Sequence, residues 1–152
     1  MAQNFRIALI GGGNMGGALA AGWLRTKRGA VAADELVVID PSPGEVVQDL
    51  ASQSGVAVLP ELTADAAATL ELAILAVKPQ IFEQVATSLA DALPVSTGVV
   101  SIMAGVTLNR LTMALGDRAI VRAMPNTAAA VGAGVSVCVA NEAGEALEKT
   151  VT

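Results

Sequence analysis

The fold is decided by the stretch Ile7-Ala8-Leu9-Ile10-Gly11-Gly12-Gly13-Asn14-Met15-Gly16, in which apolar residues suited to a buried strand run into three consecutive glycines. Gly11, Gly13 and Gly16 match G-x-G-x-x-G between a strand and a helix, the context in which that pattern indicates a dinucleotide-binding turn. In this interpretation Gly11 permits a tight turn, Gly13 lets the backbone approach a pyrophosphate, and Gly16 lets the helix pack closely on the strand. A glycine-rich turn that only connects two elements is the alternative.

Strands and helices alternate along the rest of the chain. Apolar runs predict further strands over residues 35–39, 56–59, 72–77, 98–102, 119–123 and 135–139. Alternation at this spacing predicts the α/β class with a doubly wound, mostly parallel sheet. The strand count and the glycine turn favour the Rossmann strand order over the flavodoxin-like one. We expect residues 1–152 to form one dinucleotide-binding domain.

The helices are marked by the residues at their ends. Helical patterns cover residues 14–28, 43–54, a short alanine-rich segment after Thr63, 78–93, 107–115 and 141–149. The hydroxyls of Thr63 and Thr107 suit N-caps. Ser42 with Glu45 three residues later has the form of a capping box, with Pro43 at the first helical position.

Composition argues against several classes of function. The net charge is −5 and no basic stripe carries interleaved aromatics, so nucleic acid is not an expected partner. No apolar run approaches the ~18 residues of a membrane span, and the polar start does not resemble a secretory signal, so we expect a cytoplasmic protein. One cysteine, Cys138, cannot form an intrachain disulfide or a cysteine-based zinc site, and we expect no metal.

The chain contains no histidine. This removes the Ser-His-Asp and Cys-His nucleophile systems, His-ligated metals, and the commonest general acid or base. Chemistry must therefore come from a cofactor, from Lys, Asp, Glu or hydroxyl groups, or from ordered water. No residue of the chain is assigned a catalytic role.

Asp40 ends the second predicted strand, where a dinucleotide fold places the acid that accepts hydrogen bonds from the adenosine ribose. An acid at this place repels a 2′-phosphate and therefore favours NADH over NADPH. An aspartate that merely starts a turn before Pro41 is the alternative. Ser42 could contact the same ribose or its phosphate, although a capping role explains it equally well.

Ligands of open α/β sheets bind beyond the carboxyl ends of the strands. That rule gathers Val77-Lys78-Pro79, Met103-Ala104-Gly105 and Pro125-Asn126-Thr127 on one rim with the glycine loop. Lys78 could contact the ribose or phosphates, or could be a solvated lysine. Ala104 and Gly105 would let a flat ring lie against the backbone. Asn126 and Thr127 offer amide and hydroxyl groups to a nicotinamide or a substrate.

Four segments together resemble successive motifs of the pyrroline-5-carboxylate reductase family. They are Gly11-Gly12-Gly13-Asn14-Met15-Gly16, Val77-Lys78-Pro79-Gln80, Ser101-Ile102-Met103-Ala104-Gly105-Val106 and Val121-Arg122-Ala123-Met124-Pro125-Asn126-Thr127. The family reduces the cyclic imine 1-pyrroline-5-carboxylate to L-proline with NADPH or NADH, the last step of proline biosynthesis. The resemblance covers only the family's N-terminal cofactor domain.

The resemblance implies a set of cofactor contacts in this chain. The implied pyrophosphate contacts are Gly11, Gly13, Asn14, Met15 and Gly16, and those bordering the ribose and nicotinamide are Ala76, Val77, Lys78, Pro79, Ala104, Gly105, Asn126 and Thr127. Two positions depart from the family pattern. Asp40 puts its usual NADP preference in doubt, and Thr63 stands where many members carry an asparagine facing the cofactor.

The family also has a C-terminal helical domain that dimerises and forms much of the imine pocket, and this sequence lacks it. We therefore expect the chain to bind cofactor but to reduce the imine negligibly, and the parent enzyme to be a homo-oligomer. The proton would come from solvent or from that domain. The alternatives are a non-catalytic NAD(P)H-binding or regulatory module and a hydroxyacid- or deazaflavin-linked reductase. The segment Met124-Pro125-Asn126-Thr127 disfavours the latter.

Overall fold

A computed structural model describes residues 4–26, 31–125 and 136–151. Its strands are β1 (Ile7–Ile10), β2 (Leu36–Ile39), β3 (Ala57–Leu59), β4 (Leu72–Leu75), β5 (Gly98–Ser101), β6 (Ile120–Pro125) and β7 (Ser136–Ala140). Its helices are α1 (Asn14–Arg25), α2 (Glu45–Ser54), α3 (Ala64–Ala67), α4 (Phe82–Ala92), α5 (Leu108–Leu115) and α6 (Glu145–Val151). None of these described helices is long and apolar enough to cross a membrane.

The strands form a seven-stranded sheet in the order β3-β2-β1-β4-β5-β6-β7. All neighbouring pairs are parallel except β6 and β7, which are antiparallel. The predicted doubly wound sheet and its Rossmann order are confirmed. The strand order reverses between β1 and β4, and in open α/β sheets a ligand crevice opens at the carboxyl ends of such a strand pair.

Each face of the sheet is buried by its own core, because successive strand residues point to opposite sides. Ala8 and Ile10 belong to one cluster, which includes Phe82 from α4. Leu9 belongs to the other, with Ala20 from α1 and Val47 from α2. In β1, β2, β4 and β5, side chains buried on both faces explain why the sequence shows continuous apolar runs instead of alternating patterns.

Helix α1 ends at Arg25, three residues before the predicted end at residue 28. Thr26 adopts an extended conformation, and both its N–H and its hydroxyl donate to the carbonyl oxygen of Gly22, at 3.1 and 2.9 Å. The hydroxyl thus gives a carbonyl of the last turn a second donor, and the extended backbone at Thr26 ends the helix.

The predicted capping box at the start of α2 is wrong. The helix begins at Glu45 with Gly44 as N-cap and without a side-chain cap, so Pro43 lies outside it. The caps of the two later helices are confirmed: Thr63 accepts from the N–H of Ala66, and Thr107 accepts from the N–H of Arg110, both at 3.2 Å.

Two segments near the rim also differ from the prediction. Strand β4 ends at Leu75 instead of residue 77, so the chain leaves the sheet before Val77. Strand β6 continues through Pro125, where a polar loop over residues 124–127 was predicted. The antiparallel partner explains the longer strand, because β7 pairs with β6 from Val121 to Pro125.

Candidate functional site

The glycine loop fits between β1 and α1 only because two of its residues lack a side chain. Gly11 has φ +105°, and a Cβ there would lie 2.6 Å from the carbonyl oxygen of Ala76. A Cβ on Gly16 would overlap the carbonyl oxygen of Gly11, which is backbone and cannot swing aside. The tight turn predicted at Gly11 and the close packing predicted at Gly16 are thus both present.

The outer side of the loop is open. A Cβ built on Gly13 would meet no described atom within 4 Å, and Gly13 is exposed. Gly13 is also the N-cap of α1, whose first turn has no side-chain cap and no acidic residue. The first N–H groups of a helix have no partner within the helix, and the helix dipole is positive there. This end of α1 is therefore suited to bind an anionic group such as a pyrophosphate.

Asp40 fastens the glycine loop to the turn after β2. Its Oδ2 accepts the N–H of Gly12 at 2.6 Å, and its Oδ1 accepts the N–H of Ser42 at 2.8 Å. The carbonyl oxygen of Gly12 in turn accepts the N–H of Gly44 at 2.9 Å. Asp40 therefore starts a turn, as the alternative interpretation held, and it also holds the loop. Each carboxylate oxygen retains a second lone pair that could accept a ribose hydroxyl.

A cleft of about 370 Å³ opens beside Asp40, at the carboxyl ends of the first strands. Its walls come from Ile10 and Ile39 at the strand ends, from residues 60–62 after β3, and from one face of α4. The volume lies in the range of small-molecule sites. The polar side chains that line it are Asp40, Glu61, Gln84 and Ser88. Among the described residues that line the cleft, none carries a positive charge.

The loops after β4 and β5 lie on the same rim. Ala76 packs beneath the glycine loop, with its Cβ 3.6 Å from the position of a Cβ on Gly16, and Val77 lines the cleft. Lys78 is exposed and precedes a short 3₁₀ turn whose first residue is Pro79. After β5, Ala104 and Gly105 are exposed, and Gly105 has φ +73° with no described atom near a Cβ position. The loop backbone is therefore open to a ligand.

Two predicted cofactor contacts, Thr63 and Ser42, are not brought into the cleft. Thr63 uses its hydroxyl to cap α3, and Ser42 is exposed with its N–H bound to Asp40. Neither lines the cleft. Asn126 and Thr127 lie outside the described residues, so the predicted contacts of these two stay predictions.

Sequence reasoning missed the middle glycine and the far wall of the cleft. A Cβ on Gly12 would lie 3.1 Å from Val38 and 3.4 Å from both Asp40 and Pro43, so the loop packs tightly on the β2–α2 turn. The run of three consecutive glycines, Gly11 to Gly13, was the available signal. On α4, Gln84 and Ser88 are four residues apart and share the face that lines the cleft.

The arrangement can bind a dinucleotide but has few means of moving protons. The described rim offers backbone N–H groups, small residues and the exposed amine of Lys78. Within the described part of the chain, no group of three or more His, Cys, Asp and Glu side chains could hold a metal ion. A dinucleotide bound at such a site would itself supply the hydride chemistry.

Comparison with known proteins gives close relatives. The sequence family described as "NADP oxidoreductase coenzyme F420-dependent" matches residues 6–105. The chain is 39% identical over 140 residues to a pyrroline-5-carboxylate reductase of Synechocystis sp., covering 92% of this chain and 51% of that protein. It is 41% identical over 132 residues to the pyrroline-5-carboxylate reductase of Escherichia coli, covering 86% and 48%.

A solved pyrroline-5-carboxylate reductase from Coxiella burnetii has a similar fold, with a TM-score of 0.82 and 28% identity over 97% of this chain and 54% of that one. The chain thus spans about half the length of the curated relatives it matches. The similarity extends over nearly all of the present sequence.

Proposed function

The chain belongs to the family described as "NADP oxidoreductase coenzyme F420-dependent", and we propose that it is the cofactor-binding part of a pyrroline-5-carboxylate reductase. The reaction is the NAD(P)H-dependent reduction of 1-pyrroline-5-carboxylate to L-proline, the last step of proline biosynthesis. Identities of 39% and 41% to curated reductases of that name support this choice of substrate.

One observation carries the assignment of a dinucleotide site. The open side of Gly13 and the uncapped start of α1 lie next to a cleft whose edge is Asp40, and one hydrogen bond of 2.6 Å joins the two regions. A dinucleotide needs an anion site and an adenosine site a few ångströms apart. The open glycine loop and the cleft beside it support these two roles.

In this mechanism the chain's own residues bind the cofactor and orient its nicotinamide. When bound, the cofactor supplies a hydride to the C=N carbon of the imine. The first turn of α1, from Asn14 to Gly16, would hold the pyrophosphate, and Gly13 would let it approach the backbone. Val77, Ala104 and Gly105 would border the nicotinamide end, where small side chains leave room for a flat ring. The proton for the imine nitrogen would come from solvent or from residues beyond this chain.

We further propose that NADH is the preferred cofactor. Asp40 at the end of β2 would accept hydrogen bonds from the ribose and repel a 2′-phosphate. The described lining of the cleft holds no cation that would offset this repulsion. The preference runs against the NADP in the family's description, which makes it a discriminating test of Asp40.

The proposal treats residues 1–152 as one domain of a larger enzyme. The relatives are about twice as long as the chain, so the imine pocket and the homo-oligomer contacts are assigned to a helical domain outside it. We expect the chain alone to bind NADH and to form proline far more slowly than the ~1 per second of ordinary enzymes.

Two measurements test the proposal together. Titration of the chain with NADH, followed by the fluorescence of the nucleotide, should show saturable binding. The gene that encodes the chain in its full length should restore growth of a proline auxotroph. No nucleotide binding would overturn the dinucleotide site. Binding without complementation would instead favour a non-catalytic NAD(P)H-binding module.

A second candidate is an NADP reductase linked to the deazaflavin coenzyme F420. The description of the matching family favours it, whereas the identities to pyrroline-5-carboxylate reductases oppose it. The full-length protein separates the two candidates in one assay. Reduction of NADP by reduced F420, without turnover of the cyclic imine, would establish the deazaflavin reaction and overturn the imine reductase.

A further inference from the structure

The far wall of the cleft carries a second acid, Glu61, which the sequence patterns did not single out. The N–H of Asp40, just after β2, donates to the carbonyl oxygen of Leu59, the last residue of β3, at 2.9 Å. The segments that follow the two strands therefore start side by side. Pro60 and Glu61 follow directly and line the same cleft as Asp40. The register of two neighbouring parallel strands thus places two carboxylates at one opening.

The two carboxylates differ in their hydrogen-bond partners. Both oxygens of Asp40 accept backbone N–H groups of the glycine loop and of the β2–α2 turn. Glu61 is exposed, and its side chain has no ion pair or hydrogen bond to another described residue. Asp40 is therefore part of the loop's construction, whereas Glu61 presents its negative charge without a cation beside it.

We infer that Glu61 is a specificity-determining residue of the adenosine site, which adds its charge to that of Asp40 in repelling the 2′-phosphate of NADPH, whereas Asp40 also positions the glycine loop. The inference rests on the proposed dinucleotide function. A phosphate dianion and a carboxylate at a separation on the order of 8 Å repel each other enough to change binding about two- to fivefold, after screening by ~0.1 M salt. NADH has no 2′-phosphate, so Glu61 should barely affect it.

This division of labour gives the two acids distinguishable phenotypes. Removing the charge of Glu61 should change the ratio of NADPH to NADH affinity and leave the affinity for NADH within about twofold. Removing the charge of Asp40 should weaken NADH, because the loop that holds the pyrophosphate loses an acceptor for the N–H of Gly12, whereas the Glu61 variants should keep the original affinity for NADH. A purely structural Glu61 would not alter the ratio.

The start of α2 is an alternative place where the 2′-phosphate of NADPH could be bound. Its first N–H groups have no side-chain cap, and such groups can bind a phosphate. Glu45 in the same turn opposes an anion there. If this helix start holds the 2′-phosphate, NADPH binds the unchanged chain more tightly than NADH, and the inference about Glu61 is wrong.

The experiment is a set of titrations with NADH, NADPH, adenosine 5′-monophosphate and adenosine 2′,5′-bisphosphate at two salt concentrations. The variants are Glu61→Gln, Glu61→Lys and Asp40→Asn, with Asp91→Asn on the exposed far part of α4 as the control for loss of one charge. We expect Glu61→Gln to tighten NADPH and the bisphosphate two- to fivefold, and Glu61→Lys to tighten them further. Both gains should shrink at high salt, and Asp91→Asn should change nothing.

The outcomes separate this inference from the proposed function. If no nucleotide binds the unchanged chain, the dinucleotide site itself is refuted. If nucleotides bind but both Glu61 variants keep the original ratio, only the role of Glu61 is refuted. The monophosphate and bisphosphate report on the adenosine end alone, so neither result depends on imine reduction.

Discussion

Three glycines of the α1 region can be replaced by alanine to separate packing from binding. At Gly16 the new methyl group would overlap the backbone carbonyl of Gly11, and no side chain can move to relieve the contact. At Gly13 the methyl would enter open space on the ligand side of the loop. At Gly22 it would meet no described atom and would lie on a helix. The three positions therefore test distinct physical effects with the same substitution.

The magnitudes follow from those surroundings. Overpacking against movable side chains typically lowers the free energy of unfolding by about 1–3 kcal/mol. The carbonyl of Gly11 cannot move aside, so we expect a loss of about 3 kcal/mol for Gly16→Ala. For a chain of this size that corresponds to a decrease in Tm of about 6–12 °C. Gly13→Ala should cost ~1 kcal/mol or less, because alanine is a poorer N-cap than glycine. Gly22→Ala should stabilise by ~0.5 kcal/mol through helix propensity and the reduced entropy of the unfolded chain.

The assays are thermal unfolding followed by circular dichroism and titration with NADH. Gly13→Ala should weaken NADH at least tenfold, or about 1.4 kcal/mol, because its methyl takes the place of the pyrophosphate, although its Tm stays close to that of the unchanged chain. Gly22→Ala should bind normally. The reasoning is refuted if Gly16→Ala unfolds at the original temperature, or if Gly13→Ala binds NADH with unchanged affinity.

Three further predictions concern stability away from the cleft. Thr107→Ala should cost ~1 kcal/mol in urea unfolding because α5 loses its cap, and Thr107→Ser should recover most of this loss; equal stability of both variants would contradict the cap. Arg6 holds the pKa of the Glu71 carboxyl below its ordinary value, so this pair stabilises the fold above about pH 4.5 and is lost as the pH falls through the lowered pKa. Glu71→Gln should flatten the acid side of the stability profile, and an unchanged slope would show that the pair contributes nothing. Arg118 is 5% exposed, and its guanidinium donates to the carbonyl oxygen of Pro94 at 3.2 Å. Lysine lacks the planar, forked set of guanidinium donors, so Arg118→Lys should cost about 1–3 kcal/mol in thermal unfolding.

Local sequence alone determined the elements and the class of the fold. Buried parallel strands have to be apolar on both faces, so the apolar runs identified β1 and β4 as strands, although the run at β4 continues two residues past the end of the strand. Glycine was the only residue that fits at Gly11 and Gly16, where backbone lies against backbone. Hydroxyl caps are equally local, because Thr63 and Thr107 bond to N–H groups three residues away. Each of these signals can be recognised from a few neighbouring residues, although the backbone that Gly11 approaches belongs to Ala76, far along the chain.

The local pattern failed where a distant segment competed for the same groups. Ser42 and Glu45 have the spacing of a capping box, but the N–H of Ser42 is bound by Asp40 and the N–H of Gly44 by Gly12. The glycine loop, about thirty residues earlier in the chain, therefore decides where α2 begins. Strand β6 likewise extends to Pro125 because its antiparallel partner β7 provides the pairing.

The residues of the candidate site also fall into two groups: those that local sequence identified and those that only the tertiary packing brings together. The sequence by itself determined the glycine loop and the presence of Asp40 at a strand end, since both depend on the order of residues along one β–α–β unit. Only the tertiary structure decided that Asp40 holds the loop, and that Glu61 and Gln84 line one cleft with it. These residues come from three separate parts of the chain, and the sheet register and the packing of α4 bring them together.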